Sequence, residues 1–291
     1  MTQFSKLQHE ADGLSAGLPP LMVEADHLAA SVSLGVHGRR RAGMGESFWQ
    51  FRRYASQDSS AAIDWRQSAK SQHIFVRERE WEAAQTVWFW RDASANMNFK
   101  SGPKDGVSKR ARADLLLLAL AALLVRGGER VGFIGMEGGA GASRLALTRI
   151  GRALFAPGNG ALPPPAPLKR GDQLVWFSDF LDEGAFEAMT RLSRMGVNGH
   201  LVRIIDPAEE DFPYTGRTRF ESPLGQSDKG QDDEIFGRAE RVREPYRARF
   251  IAHGERIAEA ASRLGWTATS HRTDHAPQGS LIALHAAIGG V

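Results

Sequence analysis

"TVWFWRDASANMNF", residues 86–99, is the stretch whose reading decides the fold. Thr86 to Trp90 form a short apolar run rich in β-branched and aromatic residues, the composition of a buried strand. Asp92, Ser94 and Asn96 follow at once, spaced by single residues, so one loop can present three oxygen-bearing side chains toward one point. A strand that ends in such a loop is the pattern expected where ligands bind to an open α/β sheet, beyond the carboxyl ends of the strands.

Outward from this stretch the chain alternates strand and helix. "SKRARADLLLLALAALLVRG" reads as a helix ended by glycine, "ERVGFIGM" as a strand and "LTRIGRALF" as a short helix. "QLVWFSDF", a second apolar strand with a polar end, supplies Ser178 and Asp179. Then come "EGAFEAMTRLSRMG" (helix), "GHLVRIID" (strand), "REPYRARFIAHGERIAEAASRLG" (long amphipathic helix), "WTATSHRT" (strand) and "QGSLIALHAAIGG" (closing helix). Continuous apolar strands alternating with helices predict a doubly wound, mostly parallel α/β sheet of Rossmann type. The acidic stretch 207–240 lacks periodicity and reads as an excursion.

Before residue 84 the texture differs. A Pro pair precedes "LMVEADHLAASVSL", which has helical spacing and predicts a docking helix. "SFWQFRRY" and "HIFVRERE" alternate as strands do. The expected organisation is therefore an N-terminal helix and β-rich appendage, 1–83, ahead of an α/β domain, 84–291.

Composition excludes several classes. There is no cysteine, hence no disulfide, thiolate metal site or thiol catalysis, and a reducing compartment such as the cytoplasm is the expectation. The longest apolar run, Leu115 to Val125, is eleven residues, short of the roughly 18–20 needed to span a bilayer, and reads as a buried helix. The N-terminus lacks a basic region followed by an apolar one and does not read as a secretory signal. Residues 37–80 are locally basic, with Arg39, Arg40, Arg41, Arg52, Arg53, Arg66, Lys70, Arg77 and Arg79 against Glu46, Asp58, Asp64, Glu78 and Glu80. Such a segment is read as a solvated face that pairs with acids of the same fold, and nucleic-acid binding through it is the alternative.

The chemistry-bearing candidates are few. Asp92, Ser94 and Asn96, joined by Asp179 from the next strand end, form a hard oxygen set that suits Mg²⁺ better than zinc. "GLSAG", 13–17, has the spacing of a nucleophile elbow but lies in a polar leader without the required strand and helix. "GMEGGAGASR" lacks the Gly-Lys-Ser/Thr ending of a phosphate loop and reads as a hairpin turn. His271, Asp274 and His275 cluster in "SHRTDH", read as an exposed loop. Phe48, Trp49, Phe51 and Tyr54, set among arginines, suit inward packing with the arginines snorkelling out, and base stacking is the alternative. Arg53, Asp64, Arg66, Arg77 and Glu78, with Trp65 beside them, could form an ion-pair network.

Two sets of residues resemble known families. The strand ending Asp92-x-Ser94-x-Asn96, followed by a long helix and then a strand ending in "SDF", resembles the metal-ion-dependent adhesion site of von Willebrand factor A domains. Arg53-Tyr54, Ile63-Asp64-Trp65-Arg66 and Val76-Arg77-Glu78 resemble the signature of the domain-of-unknown-function 58 family, in which these elements precede such a domain. The resemblance implies a non-enzymatic, protein-binding or adaptor role in assembly or chaperone-like processes with a MoxR-type AAA+ ATPase, on an unknown client, often near the membrane. It implies Mg²⁺ held by Asp92, Ser94, Asn96 and Asp179. The chain departs from the family at Asn96, where serine is usual, and Thr148 is the candidate for a missing threonine ligand. A Mg²⁺-dependent hydrolase using Asp92 and Asp179 is the enzymatic alternative.

Overall fold

The computed structural model describes residues 20–33, 48–55, 63–79, 84–102, 106–156, 160–220 and 234–289. Two compact units emerge, one formed by residues 1–35 with 85–291 and the other by residues 36–84.

The larger unit is built on five parallel strands: β3 (Thr86–Arg91), β4 (Arg130–Phe133), β5 (Gln173–Ser178), β6 (Asn198–Ile205) and β9 (Thr267–Arg272), in the order β4-β3-β5-β6-β9. Every residue of β5 after Gln173, and of β6 after Asn198, is buried. Burial of successive residues, which point to opposite faces, means that both faces are covered, as the apolar runs predict. The chain leaves β3 toward β4 and then returns past β3 to β5, so strand order reverses between β3 and β5. Ligand crevices of open α/β sheets lie at such a reversal.

Helix α3 (Lys109–Arg126) touches β3, β4, β5 and β6, as well as α4 (Arg144–Leu154) and α8 (Pro277–Ile288). Ala113 to Leu124 are buried without interruption. That explains a leucine run with no polar face: the sheet takes one side and helices take the rest. Ser108 caps the helix, its side chain accepting from Ala111 N at 3.1 Å. Helices α5 (Ala185–Arg194) and α7 (Arg243–Arg263) lie against β6 and β9 respectively.

Helix α1, residues 20–33, corrects the expected organisation. Grouped with the appendage by a boundary at residue 83, it belongs to the α/β unit, burying Ala25, Leu28, Ala29 and Val32 in the main core. The apolar stripe is the physical cause, since it needs an apolar surface to cover. Asp26 on its edge receives Arg126 at 3.1 Å and Arg144 at 3.2 Å, exposed pairs that orient the helix more than they stabilise it.

The excursion after β6 contains α6 (Pro207–Asp211) and a two-stranded antiparallel ribbon, β7 (Thr218–Phe220) with β8 (Glu234–Phe236). The glycine-rich segment after β4 is a turn, as its reading predicts: Gly138 and Gly139 have positive φ, and Gly141 bridges back to Val131 in antiparallel sense.

The smaller unit pairs β1 (Phe48–Arg53) with β2 (Phe75–Arg79) antiparallel, around a one-turn helix α2 (Trp65–Ser68). The two alternating stretches are strands, as their pattern predicts. Asp64 caps α2, accepting from Gln67 N at 2.9 Å, and Trp65 is exposed. The leader "GLSAG", Arg39 to Arg41, and the side chains of Phe48, Trp49, Phe51, Arg77 and Glu78 lie outside the described residues.

Candidate functional site

The parallel sheet brings Asp92, just after β3, and Asp179, just after β5, to adjoining strand ends at the reversal of strand order. Asp92 is buried. Its Oδ1 accepts from Ser94 N at 2.7 Å and its Oδ2 from Ser178 Oγ at 2.7 Å. The first contact closes a local turn within the loop, and the second ties two strand ends together. Burial raises the Asp92 pKa above the ordinary aspartate value, while hydrogen bonding by Ser178 and Ser94 pulls it the other way. Ser94 Oγ is buried with no partner in hydrogen-bonding geometry. Asn96 is half-buried in a short 3₁₀ turn, Ala95–Asn98.

Asp179 has a different partner. Its Oδ2 receives the ammonium of Lys109 at 2.9 Å, and its Oδ1 accepts from Leu181 N at 3.1 Å. The same ammonium reaches Glu209 Oε1 at 2.6 Å and is 1% exposed. Burial alone would lower the lysine pKa, yet the two carboxylates more than offset it and the pKa is raised. Lys109 is therefore a permanent cation lodged between strand ends.

Glu209 is held in turn. It lies on α6, and its Oε2 accepts from Asp206 N at 2.8 Å, while Asp206 Oδ1 accepts from Ala208 N at 2.9 Å. This reciprocal cap fixes the start of α6 at the end of β6. Asp206 Oδ2 also accepts from Ser101 N at 2.8 Å, and the Ser101 hydroxyl donates to Oδ1. One polar network thus runs from the loop after β3, through Asp206 and Glu209, to Lys109 and Asp179. Helix α7 walls the network: His253 Nε2 lies 3.4 Å from Asp179 O, and Phe250 stacks under the Arg203 guanidinium at 4.2 Å.

Behind Asp92, Arg91 is fully buried. Its Nε donates to Asp114 Oδ1 at 2.8 Å and its Nη2 to Leu154 O at 2.6 Å, which binds β3 to α3 and α4.

The four expected ligands are placed unequally. Asp92 and Ser94 sit together, Asn96 follows in the same loop, and Asp179 is engaged by Lys109. Thr148 lies on α4, where its hydroxyl donates to Arg144 O at 3.4 Å. Among the described residues no group of three or more His, Asp or Glu could hold a metal. The arrangement does not fit a divalent ion. Mg²⁺ demands near-octahedral oxygen geometry and relies on carboxylates, whereas here a fixed ammonium occupies the second carboxylate. Ser94 Oγ is the one buried donor atom of the set left without a partner.

Sequence reasoning missed Lys109 and Glu209. A signal for Lys109 existed: Lys109, Arg110 and Arg112 stand in the first turn of α3 with no acid among them. Cations there oppose the helix dipole, so a tertiary partner is required to hold them. His271 corrects the reading of "SHRTDH" as an exposed loop. It is buried, with Nδ1 2.7 Å from Ser280 Oγ, because α8 covers the end of β9, whereas Thr267 and Thr269 earlier on the same face stay exposed. Asp274, by contrast, is exposed and pairs with Arg272 at 2.9 Å.

A family model described as "Protein of unknown function DUF58" matches residues 50–256. No curated protein matches. Similar solved structures include the conserved hypothetical protein BatB from Bacteroides thetaiotaomicron, 14% identical with a TM-score of 0.38. Another is an aerotolerance-related membrane protein from Bacteroides fragilis carrying multiple mutations to serines, also 14% identical, with a TM-score of 0.40. Each match covers 72% of this chain and 100% of the other. No helix among the described residues is long and apolar enough to cross a membrane. By the extent of the family match, this chain belongs to the DUF58 family of proteins of unknown function.

Proposed function

We propose that this chain is a non-enzymatic binding module that docks a protein partner on the carboxyl edge of its sheet, at the loops after β3 and β5. The reading takes the α/β unit as von Willebrand factor A-like, with a degenerate adhesion site that works without Mg²⁺. The partner is a MoxR-type AAA+ ATPase in the cytoplasm, a choice that rests on the family resemblance alone.

The observation that carries the reading is the pairing of a locked interior with an apolar rim at the reversal of strand order. Inside, Asp92, Ser178, Lys109 and Asp179 hold the two strand ends rigid. Outside, Phe99 and Leu181, on the same two loops, remain 38% and 52% exposed. Phe180, buried next to Leu181 in the chain, adopts a left-handed φ of 58°, a strained conformation for an aromatic residue. Strain of this kind persists where the surroundings over-determine it and clusters at functional loops. A hydrolase at the same edge would need Asp179 as a metal ligand, and its salt bridge to Lys109 argues against that role.

The test is surface plasmon resonance between the chain and a purified MoxR-type ATPase, using Phe99→Asp/Leu181→Asp. Both positions are surface ones, so the fold should persist, checked by circular dichroism. Binding by the native chain and a loss of at least roughly tenfold in the variant, about 1.4 kcal/mol, is expected. Equal affinity in the two proteins, or no binding by either, refutes the proposal.

A further inference from the structure

We infer that Lys109 is the built-in cation of this site, filling the point on which two carboxylates converge, so that the native chain binds no divalent ion there. Removal of the ammonium leaves Asp179 and Glu209 facing one vacated point, which can then take a divalent cation with water completing its coordination.

The placement of Lys109 runs against local preference. It occupies the first helical position of α3, where the helix dipole and the neighbouring Arg110 and Arg112 all disfavour a positive charge. It is also 1% exposed, and a buried ammonium without partners is expensive. Two carboxylates supplied by other elements meet both costs, Asp179 from the end of β5 at 2.9 Å and Glu209 from α6 at 2.6 Å. Neither carboxylate depends on Lys109 for its orientation. Asp179 Oδ1 is anchored by Leu181 N, and Glu209 Oε2 by Asp206 N. Each therefore keeps one oxygen directed at the point the ammonium now fills, and that point would hold an oxygen-preferring cation if the ammonium left.

An internal lysine differs from a metal in one physical respect: it cannot dissociate. A metal-dependent site responds to chelation and to metal supply, whereas this one is fixed in a single charge state at neutral pH. It also exposes no open coordination position to a partner carboxylate, so recognition must use the surrounding loop surface.

The experiment titrates Mn²⁺ into the full chain, followed by the electron paramagnetic resonance signal of free Mn²⁺, for the native protein, Lys109→Met and Lys109→Met/Asp179→Asn. The native chain is expected to take up no Mn²⁺ at millimolar concentration. Lys109→Met is expected to bind one ion at least roughly tenfold more tightly than the native chain, and the added Asp179→Asn to abolish the gain. Should Lys109→Met be too unstable to titrate, its melting temperature is read with and without millimolar Mn²⁺, and a rise is expected. Uptake by the native chain that is lost in Asp92→Asn overturns the inference, as does a Lys109→Met protein that neither binds Mn²⁺ nor is stabilised by it. No partner enters these measurements, so the docking proposal can fail without affecting them.

Discussion

The hydroxyl of Ser178 donates to Asp92 Oδ2 at 2.7 Å and accepts from Phe180 N at 2.8 Å, joining the ends of β3 and β5 where strand order reverses. Ser178→Ala leaves a buried carboxylate oxygen and a buried amide without this partner. The loss is expected to cost about 2 kcal/mol, since an unsatisfied buried group loses its full desolvation energy. For a chain of this size that lowers the melting temperature by roughly 4–8 °C. Calorimetry of the two proteins checks it, and an unchanged melting temperature would show that the link carries no weight in the fold.

Gly199 on β6 sits under the indole of Trp266, so close that an added Cβ would lie 2.1 Å from the ring. The ring cannot yield easily, being buried and held by its Nε1 donating to Val197 O at 3.0 Å. Gly199→Ala is therefore expected to destabilise by about 3 kcal/mol, at the upper end of ordinary overpacking costs. The midpoint of urea unfolding reads this directly. Gly102→Ala is the contrast, because no atom lies within 4 Å of its Cβ position, although its φ of 93° adds local strain.

These two sites show what is legible in a sequence and what is not. The strands "TVWFW" and "QLVWFS" are readable because burial on both faces leaves an unbroken apolar run, and Asp92 and Asp179 are readable because each ends one. Lys109 is 70 residues from Asp179, and its pairing depends on how α3 crosses the sheet, which no local pattern encodes. The same holds for α1: its stripe announces a helix that must dock, but not which unit receives it. His271 is a similar case, because Thr267 and Thr269 on its own face are exposed and only the packing of α8 over the end of β9 buries it.

His271 also sets a pH dependence. Burial lowers its pKa from 6.5 to about 4, reinforced by the charges of Arg112 and His275 and opposed by Asp274. The folded state thus binds fewer protons than the unfolded state between those values, and stability rises with pH across that window. The contribution is fully present above about 6.5 and is lost as pH falls through 4. Allowing for partial solvent screening, it is on the order of 2 kcal/mol. Melting temperatures measured from pH 7 to 4 are expected to fall, and His271→Gln to flatten the slope. Asp92 acts oppositely, since its raised pKa makes stability decline as pH climbs above the ordinary aspartate value. An unaltered slope in His271→Gln would assign the acid sensitivity elsewhere.

Arg91 and Asp114 form an ion pair that water scarcely reaches, with side-chain exposures of 0% and 5%. Burial pushes the Asp114 pKa up, and the Arg91 charge pulls it back down. Removing one partner strands a charge in the core, so Arg91→Met is expected to cost about 3–5 kcal/mol. The pair itself is a different matter, because desolvating two ions consumes much of their mutual attraction. Arg91→Met/Asp114→Leu should therefore recover most of the loss. Some deficit is expected to persist, because Leu154 O would lose the donor that reaches it at 2.6 Å. A double-mutant cycle by chemical denaturation measures the coupling, and two additive single losses with no recovery would show that the charges act independently of each other.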